Sequence, residues 1–210
     1  NVICKVDTGG VITTVAGNGI AANSGDGSPA TSASFMMITA LAFDSADNMY
    51  VGSMAGGLRK VETSGIVTSI PSFNGLVPFD IAFDSTGSLY ASLSFDNKIV
   101  KLDSGGTVSN VAGTGLNDYS GDGGPATSAT LAFPQGLAFD SAGNLYVADV
   151  QNRVVRKIDT SGTINSVAGG SFTGDMGTSN NGSGIAFDSS GNLYISNGFS
   201  NTALKVTPSG

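Results

Sequence analysis

Three aspartates carry most of the chemistry this sequence could support. Asp26 and Asp122 sit in matching Ser-Gly-Asp-Gly stretches, residues 24–27 and 120–123, where a carboxylate and loop carbonyls could face a cation. A dedicated calcium loop gathers several carboxylates, and each stretch supplies one. The preferred reading is therefore structural: the Asp bonds loop amides and the glycines allow a sharp reversal. Asp149, followed by Asn152 and Arg153, reads as a turn cap with an arginine partner. Tyr119 lies on a loop just ahead of the second stretch and is the best single candidate for touching a partner. Asn181-Gly-Ser183 is an N-glycosylation sequon on a loop, and the Ser and Thr around it would also suit O-linked sugar.

The chain contains no histidine. That removes the usual general base, the commonest metal ligand and every Ser-His or Cys-His nucleophile pair. Cys4 is the single cysteine, so no internal disulfide can form; its position on a strand reads as a small apolar side chain.

The elements that must hold these residues are legible in residues 133–169. Residues 136–140, 145–149, 154–158 and 164–168 read as four short strands, joined at residues 140–143 and 159–162 by turns that open with Asp and carry Gly. A lone meander of this kind buries too little and needs copies of itself alongside. The copies are present. The first turn recurs as Phe43-Asp-Ser-Ala-Asp-Asn-Met-Tyr50, Phe83-Asp-Ser-Thr-Gly-Ser-Leu-Tyr90, Phe139-Asp-Ser-Ala-Gly-Asn-Leu-Tyr146 and Phe187-Asp-Ser-Ser-Gly-Asn-Leu-Tyr194. The second recurs after Lys5, Lys60, Lys101, Lys157 and Lys205. Spacings of ~40–50 residues with four strands per unit mark an all-β fold, a β-propeller of four-stranded blades. Tyr50, Tyr90, Tyr146 and Tyr194 occupy one strand position, which favours packing between blades over a sugar-stacking series.

These residues resemble the NHL-repeat β-propellers, most specifically in Leu145-Tyr-Val-Ala-Asp149 and Asn152-Arg-Val-Val-Arg-Lys-Ile-Asp159, and again in residues 119–129 and their echo at 24–33. The resemblance implies one NHL array over residues 1–210: a hairpin left from a preceding blade at 1–17, blades at 38–70, 71–113 and 131–169, and an incomplete blade at 183–210. Residues 30–34 are expected to form a single helical turn after Pro29. Residues 1–10 align without gaps on 201–210, so four repeat lengths are present, and the expectation is a segment of a larger propeller or array. Some NHL-like propellers are amidating lyases that hold a metal with histidines, and no residue here can play that part. A lactonase-like propeller would ring a central calcium with the residues ending each second strand, here Ser53, Leu93, Asp149 and Asn197. One carboxylate and one Leu make a poor ring, so neither a metal nor a cofactor is expected.

Charge narrows the partners. The net charge is −7, and every Lys and Arg falls in or beside the third strand of a blade, which predicts a thin basic girdle between acidic loop faces. Such faces repel phosphate, so nucleic acid is not an expected partner. No apolar run is long enough to insert in a membrane. The reading is a non-enzymatic extracellular or cell-surface scaffold that binds protein, by self-association or with neighbouring subunits of a filament-like assembly, and glycan as a second class. Candidate contact residues are Tyr119, Asp122, Asp26, Asp149 and Asn197, with Asn181 as glycan acceptor. The alternatives are a metal-dependent hydrolase or lyase with its site in the channel, and a ligand-binding ectodomain of an adhesion receptor.

Overall fold

A computed structural model describes residues 1–169, 184–197 and 202–208. The fold is an all-β propeller built of antiparallel blades. Packing divides the chain into two compact units, Asn1–Pro78 and Phe79–Gly210. The first unit holds a hairpin of β1 (Ile3–Val6) and β2 (Ile12–Ala16), then a blade of β3 (Ile38–Phe43), β4 (Met49–Ser53), β5 (Gly57–Val61) and β6 (Val67–Ser69). In the second unit, β7 (Asp80–Phe83), β8 (Leu89–Leu93), β9 (Lys98–Leu102) and β10 (Val108–Ala112) make one blade. The next adds β11 (Gly124–Pro125) outside β12 (Pro134–Phe139), β13 (Leu145–Asp149), β14 (Val154–Ile158) and β15 (Thr163–Gly169). The chain ends in a three-stranded sheet of β16 (Ile185–Phe187), β17 (Leu193–Asn197) and β18 (Thr202–Val206).

The turns form as the sequence dictates, because each Asp closes its own loop. Asp140 Oδ1 accepts the amides of Ala142 at 3.0 Å and Asn144 at 2.9 Å, and Asp159 Oδ1 those of Ser161 and Thr163 at 2.9 and 3.0 Å. Asp7, Asp44, Asp84, Asp103 and Asp188 repeat the arrangement. Asp140 therefore belongs to the turn, and the strand expected at 136–140 runs instead from Pro134 to Phe139. The 3-10 turn expected at 30–34 is Ala30–Ser32, and it has a twin at Ala126–Ser128. Residues 71–73, assigned to the second blade in the sequence reading, form a 3-10 turn in the first unit, where Phe73 is buried.

Apolar side chains cluster between neighbouring sheets within each unit. Ile3 and Ala16 of the hairpin pack with Phe35, Met49, Val51 and Val67. Ile99 and Ala112 pack with Leu131, Leu137, Val147 and Ile164 of the next blade, and Ala148 and Val155 with Ile185 and Ile195 of the last. The tyrosines of the second strands join these layers: Tyr90 meets Phe139 edge to face at 5.0 Å, and Tyr146 meets Phe187 at 4.8 Å. Each such pair adds ~1 kcal/mol beyond the area it buries. Tyr90, Tyr146 and Tyr194 also lie under the ammonium of the cross-strand lysine, Lys101, Lys157 or Lys205.

Candidate functional site

Both Ser-Gly-Asp-Gly loops are welded to their own blades. In the first, Gly27 N donates to Val67 O at 2.8 Å and Ala30 N to Gly65 O at 2.8 Å. In the second, Gly123 N donates to Ile164 O and Ala126 N to Gly162 O, both at 2.8 Å, so Gly124–Pro125 becomes a short fifth strand on β15. This covers the outer strand, whose unpaired backbone groups would otherwise invite another chain. Gly25 and Gly121 allow the fold-back at φ +94° and +93°; a Cβ at Gly121 would stand 2.6 Å from the Cα of Ala129.

Beneath each loop lies an arginine that solvent does not reach. Arg59 on β5 is 1% exposed and Arg156 on β14 is 0% exposed. Arg59 donates through Nε to Asp26 Oδ1 at 3.0 Å, through Nη1 to Ser34 O at 3.0 Å and through Nη2 to Ser24 O at 3.1 Å, with a further Nη2 contact to Asp26. Its guanidinium stacks on Phe35, 4.8 Å from the ring centre. Asp26 Oδ2 accepts the Ser69 amide at 3.0 Å. Burial opposes ionisation of Asp26, but hydrogen bonds from Ser69 and Arg59 and the charge of Arg59 outweigh it and hold the carboxyl below its usual range.

The second knot uses the same parts differently. Arg156 Nη2 donates to Asp122 Oδ1 at 2.7 Å and to Ser120 O at 3.1 Å, while Nη1 reaches Thr130 O and Asp149 Oδ2, both at 3.4 Å. Its Nε is buried with no partner among the described residues. Tyr119 is a member that the first knot lacks. Its ring caps Arg156 at 5.0 Å, and its hydroxyl donates to Asp122 Oδ2 at 2.9 Å while lying 2.9 Å from Ser166 Oγ. Asp122 gives Oδ2 to the tyrosine and meets Arg156 Nη2 through Oδ1, whereas Asp26 turns Oδ1 onto both arginine nitrogens and gives Oδ2 to the Ser69 amide. Burial opposes ionisation of Asp122 too, and hydrogen bonds from Ser166 and Tyr119 with the charge of Arg156 bring its pKa below the usual value.

Asp149 is the third member and is fully buried. Oδ1 accepts the Ala132 amide at 2.7 Å, and Oδ2 accepts Asn152 Nδ2 at 2.9 Å. Asn152 also donates to Asp118 O at 3.0 Å, tying the strand end to the loop that carries Tyr119. Burial is the largest influence on Asp149; Asn152, the Ala132 amide and Arg156 pull the other way, and the carboxyl is left with a pKa of about 6. Arg156 faces two carboxylates where Arg59 faces one, because Ser53 holds the place of Asp149 in the first unit.

Three sequence-level readings change. Asp26 and Asp122 do not bond the amides of their own loops; they neutralise a buried arginine on the third strand and bond Ser69 and Tyr119. The arginine that faces Asp149 is Arg156, three residues beyond Arg153. The girdle of basic residues is interrupted, since Arg59 and Arg156 are interior. Tyr119 remains 47% exposed over its arginine. Asn197 ends β17, paired with Thr202, and Asn181 lies outside the described residues. Among the described residues, no three His, Cys, Asp or Glu side chains group in a way that could hold a metal ion. The sequence reading missed an aromatic trio, Phe79, Phe95 and Phe133, with ring centres 5.1–5.7 Å apart. Phe133 adopts φ +54°, and its amide donates to Asn97 Oδ1 at 2.9 Å.

Comparison with known proteins places this geometry. A family model described as the teneurin NHL domain matches residues 11–174. Teneurin-3 of Danio rerio is 34% identical over 179 residues, taking in 76% of this chain and 6% of that protein. Among solved structures, a catalytically inactive His-to-Ala variant of virginiamycin B lyase from Staphylococcus aureus superposes with a TM-score of 0.66 at 16% identity, over 100% of this chain and 61% of that one. An auxiliary nutrient binding protein from Bacteroides ovatus gives 0.69 at 15% identity, over 96% of this chain and 57% of that one. At these identities the two structures share the fold alone, whereas the family match spans most of the sequence. The chain belongs to the teneurin NHL domain family.

Proposed function

We propose that this chain is a non-enzymatic interaction module of an extracellular, cell-surface protein, in which stiff blades display loops to a protein partner. The observation that carries this is the fate of the loop carboxylates. Asp26, Asp122 and Asp149 each face a buried arginine, so the groups that could do chemistry are consumed in fixing the loops. Fixing a loop in advance removes part of the ordering cost of binding. The exposed ring of Tyr119 is held in place by Asp122 and Arg156 and offers a rigid, amphipathic contact. Family membership supports an adhesion-type setting, and on that ground the ectodomain of an adhesion receptor fits as well as a structural scaffold. The enzyme alternative draws only on fold likeness. The lyase variant noted above is inactive for want of one histidine, and this chain has none.

The test is a surface coated with the purified chain. Retention of cells that falls on Tyr119→Ala, with no stoichiometric metal in the protein, supports the module. Stoichiometric metal together with turnover of an ester or lactone would assign the enzyme instead.

A further inference from the structure

The loop that carries Tyr119 is an elaborated copy of one that the chain also builds plainly. Residues 15–38 align without gaps on 111–134, and the two backbones make the same bonds. Gly17 and Asn18 donate to the carbonyls of Ala30 and Ala33, as Gly113 and Thr114 do to those of Ala126 and Ala129. Yet the first loop reads Ala21-Ala22-Asn23 where the second reads Asn117-Asp118-Tyr119. The neighbouring connection changes with it. Met54-Ala55-Gly56 joins β4 to β5, while Val150-Gln151-Asn152-Arg153, one residue longer, joins β13 to β14. The fold needs none of the added side chains, since the first copy closes without them. The additions also find each other: Asn117 Nδ2 donates to Gln151 Oε1 at 3.0 Å, and Asn152 Nδ2 to Asp118 O at 3.0 Å.

We propose that Asn117, Asp118, Tyr119 and Gln151 form a binding site for a neutral sugar, the terminal pyranose of a glycan. All four are exposed. Three of their polar atoms have no partner among the described residues: Asp118 Oδ2 and Asn117 Oδ1, which accept, and Gln151 Nε2, which donates. A sugar hydroxyl both gives and takes a hydrogen bond, so neighbouring hydroxyls of one ring answer acceptors and a donor set side by side. Tyr119 supplies the apolar part. Arg156 covers one face of its ring, and Asp122 and Ser166 hold its hydroxyl, so the open face is fixed for the C–H face of a pyranose. Other ligands fit less well. Asp118 and Asp122 repel phosphate, sulfate and sialic acid. A cation on Tyr119 would meet a ring whose inner face already holds a guanidinium. An extended peptide finds no free strand here, since β11 covers β15. The inference names the partner chemistry of the Tyr119 site and so rests on the interaction module proposed above.

The test is a printed array of neutral, sialylated and sulfated oligosaccharides, with a lysine-rich peptide beside them, probed with the fluorescently labelled 210-residue chain. At least one set of neutral glycans should be bound, in competition with the free monosaccharide that ends it. Asp118→Ala and Gln151→Ala, which remove groups that the first loop lacks, should each weaken that binding at least about tenfold. The triple change Asn117→Ala, Asp118→Ala and Tyr119→Asn writes the first loop into the second. It should abolish binding while the protein still unfolds cooperatively in urea. Binding of no neutral glycan overturns the proposal, as does binding confined to acidic glycans or to the lysine-rich peptide. So does neutral-glycan binding that the two single changes leave intact. If stripping glycans from the cell surface leaves Tyr119-dependent retention of cells unchanged, the sugar reading fails and the module stands. Cells indifferent to Tyr119→Ala, with a neutral glycan still bound through Asp118 and Gln151, would keep the sugar site and remove the module.

Discussion

Replacing Asp149 by Asn tests the account of the buried arginine knot. The carboxyl is wholly enclosed, and its pKa stands at about 6 against an ordinary 3.8. A displacement of about two pH units at 1.36 kcal/mol each is roughly 3 kcal/mol of stability linked to one proton. The folded pKa lies above the unfolded one, so the native state holds the proton more tightly. The contribution is therefore fully present below pH 3.8 and is lost as pH rises through about 6. Asn stays neutral throughout and keeps the size of the side chain, though it points an amide toward Arg156 or Ala132 and loses a hydrogen bond there. That loss is a constant offset across the titration range; the pH dependence is the signal.

The assay is urea unfolding of both proteins at half-unit steps from pH 3.5 to 7.5. Wild type minus variant should fall by roughly 3 kcal/mol between pH 4 and 7, most steeply between pH 4 and 6. Asp80, whose pKa is also raised by burial against the amides of Leu137 and Ile81, is common to both proteins and cancels in the difference. The lowered carboxyls of Asp26 and Asp140 cancel likewise, and Asp122, which shares Arg156 with Asp149, titrates below the ordinary carboxylate value and so outside the window from pH 4 to 7. A flat difference would mean that Asp149 has its ordinary pKa. A difference that rises with pH would mean that Arg156 and the donors outweigh burial and hold Asp149 ionised. Either result refutes the reasoning.

Arg59→Met keeps the length of the side chain, takes the cation from Asp26 and leaves the carbonyls of Ser24 and Ser34 with each other's amides alone; it should cost about 2 kcal/mol in chemical unfolding, because the loop loses its charge-assisted anchor. Gly121→Ala should cost more than about 2 kcal/mol through its clash with Ala129, while Gly123→Ala, with φ +81° but open space, should cost only about 1 kcal/mol by the same measurement. Tyr146→Ala should cost about 3 kcal/mol and increase amide exchange in β16, since it deletes the ring that meets Phe187. Unchanged exchange there would show that Tyr146 does not hold the last sheet.

What could be read from the chain alone follows the range of the interactions. The hairpin turns are local: Asp140 reaches two and four residues ahead, so a short window of sequence contains both donor and acceptor. The Tyr–Phe contacts lie between repeats, yet the repeat itself betrays them, because Tyr90 and Phe139 hold fixed places in every copy. The arginine knots were hidden by distance, with Asp26 lying 33 residues from Arg59 and Asp122 lying 34 from Arg156. A signal was nevertheless available. Arginine occupies that third-strand position at residues 59 and 156, the two blades that own a Ser-Gly-Asp-Gly loop; the blades without it have Val100 and Leu204. A cation that comes and goes with a distant anionic loop has the pattern of a buried ion pair, since neither charge is affordable inside without the other. That pattern also predicts the order of dependence: removing the loop from a blade should require an apolar residue in place of its arginine, and the blade of Val100 shows that such a blade packs.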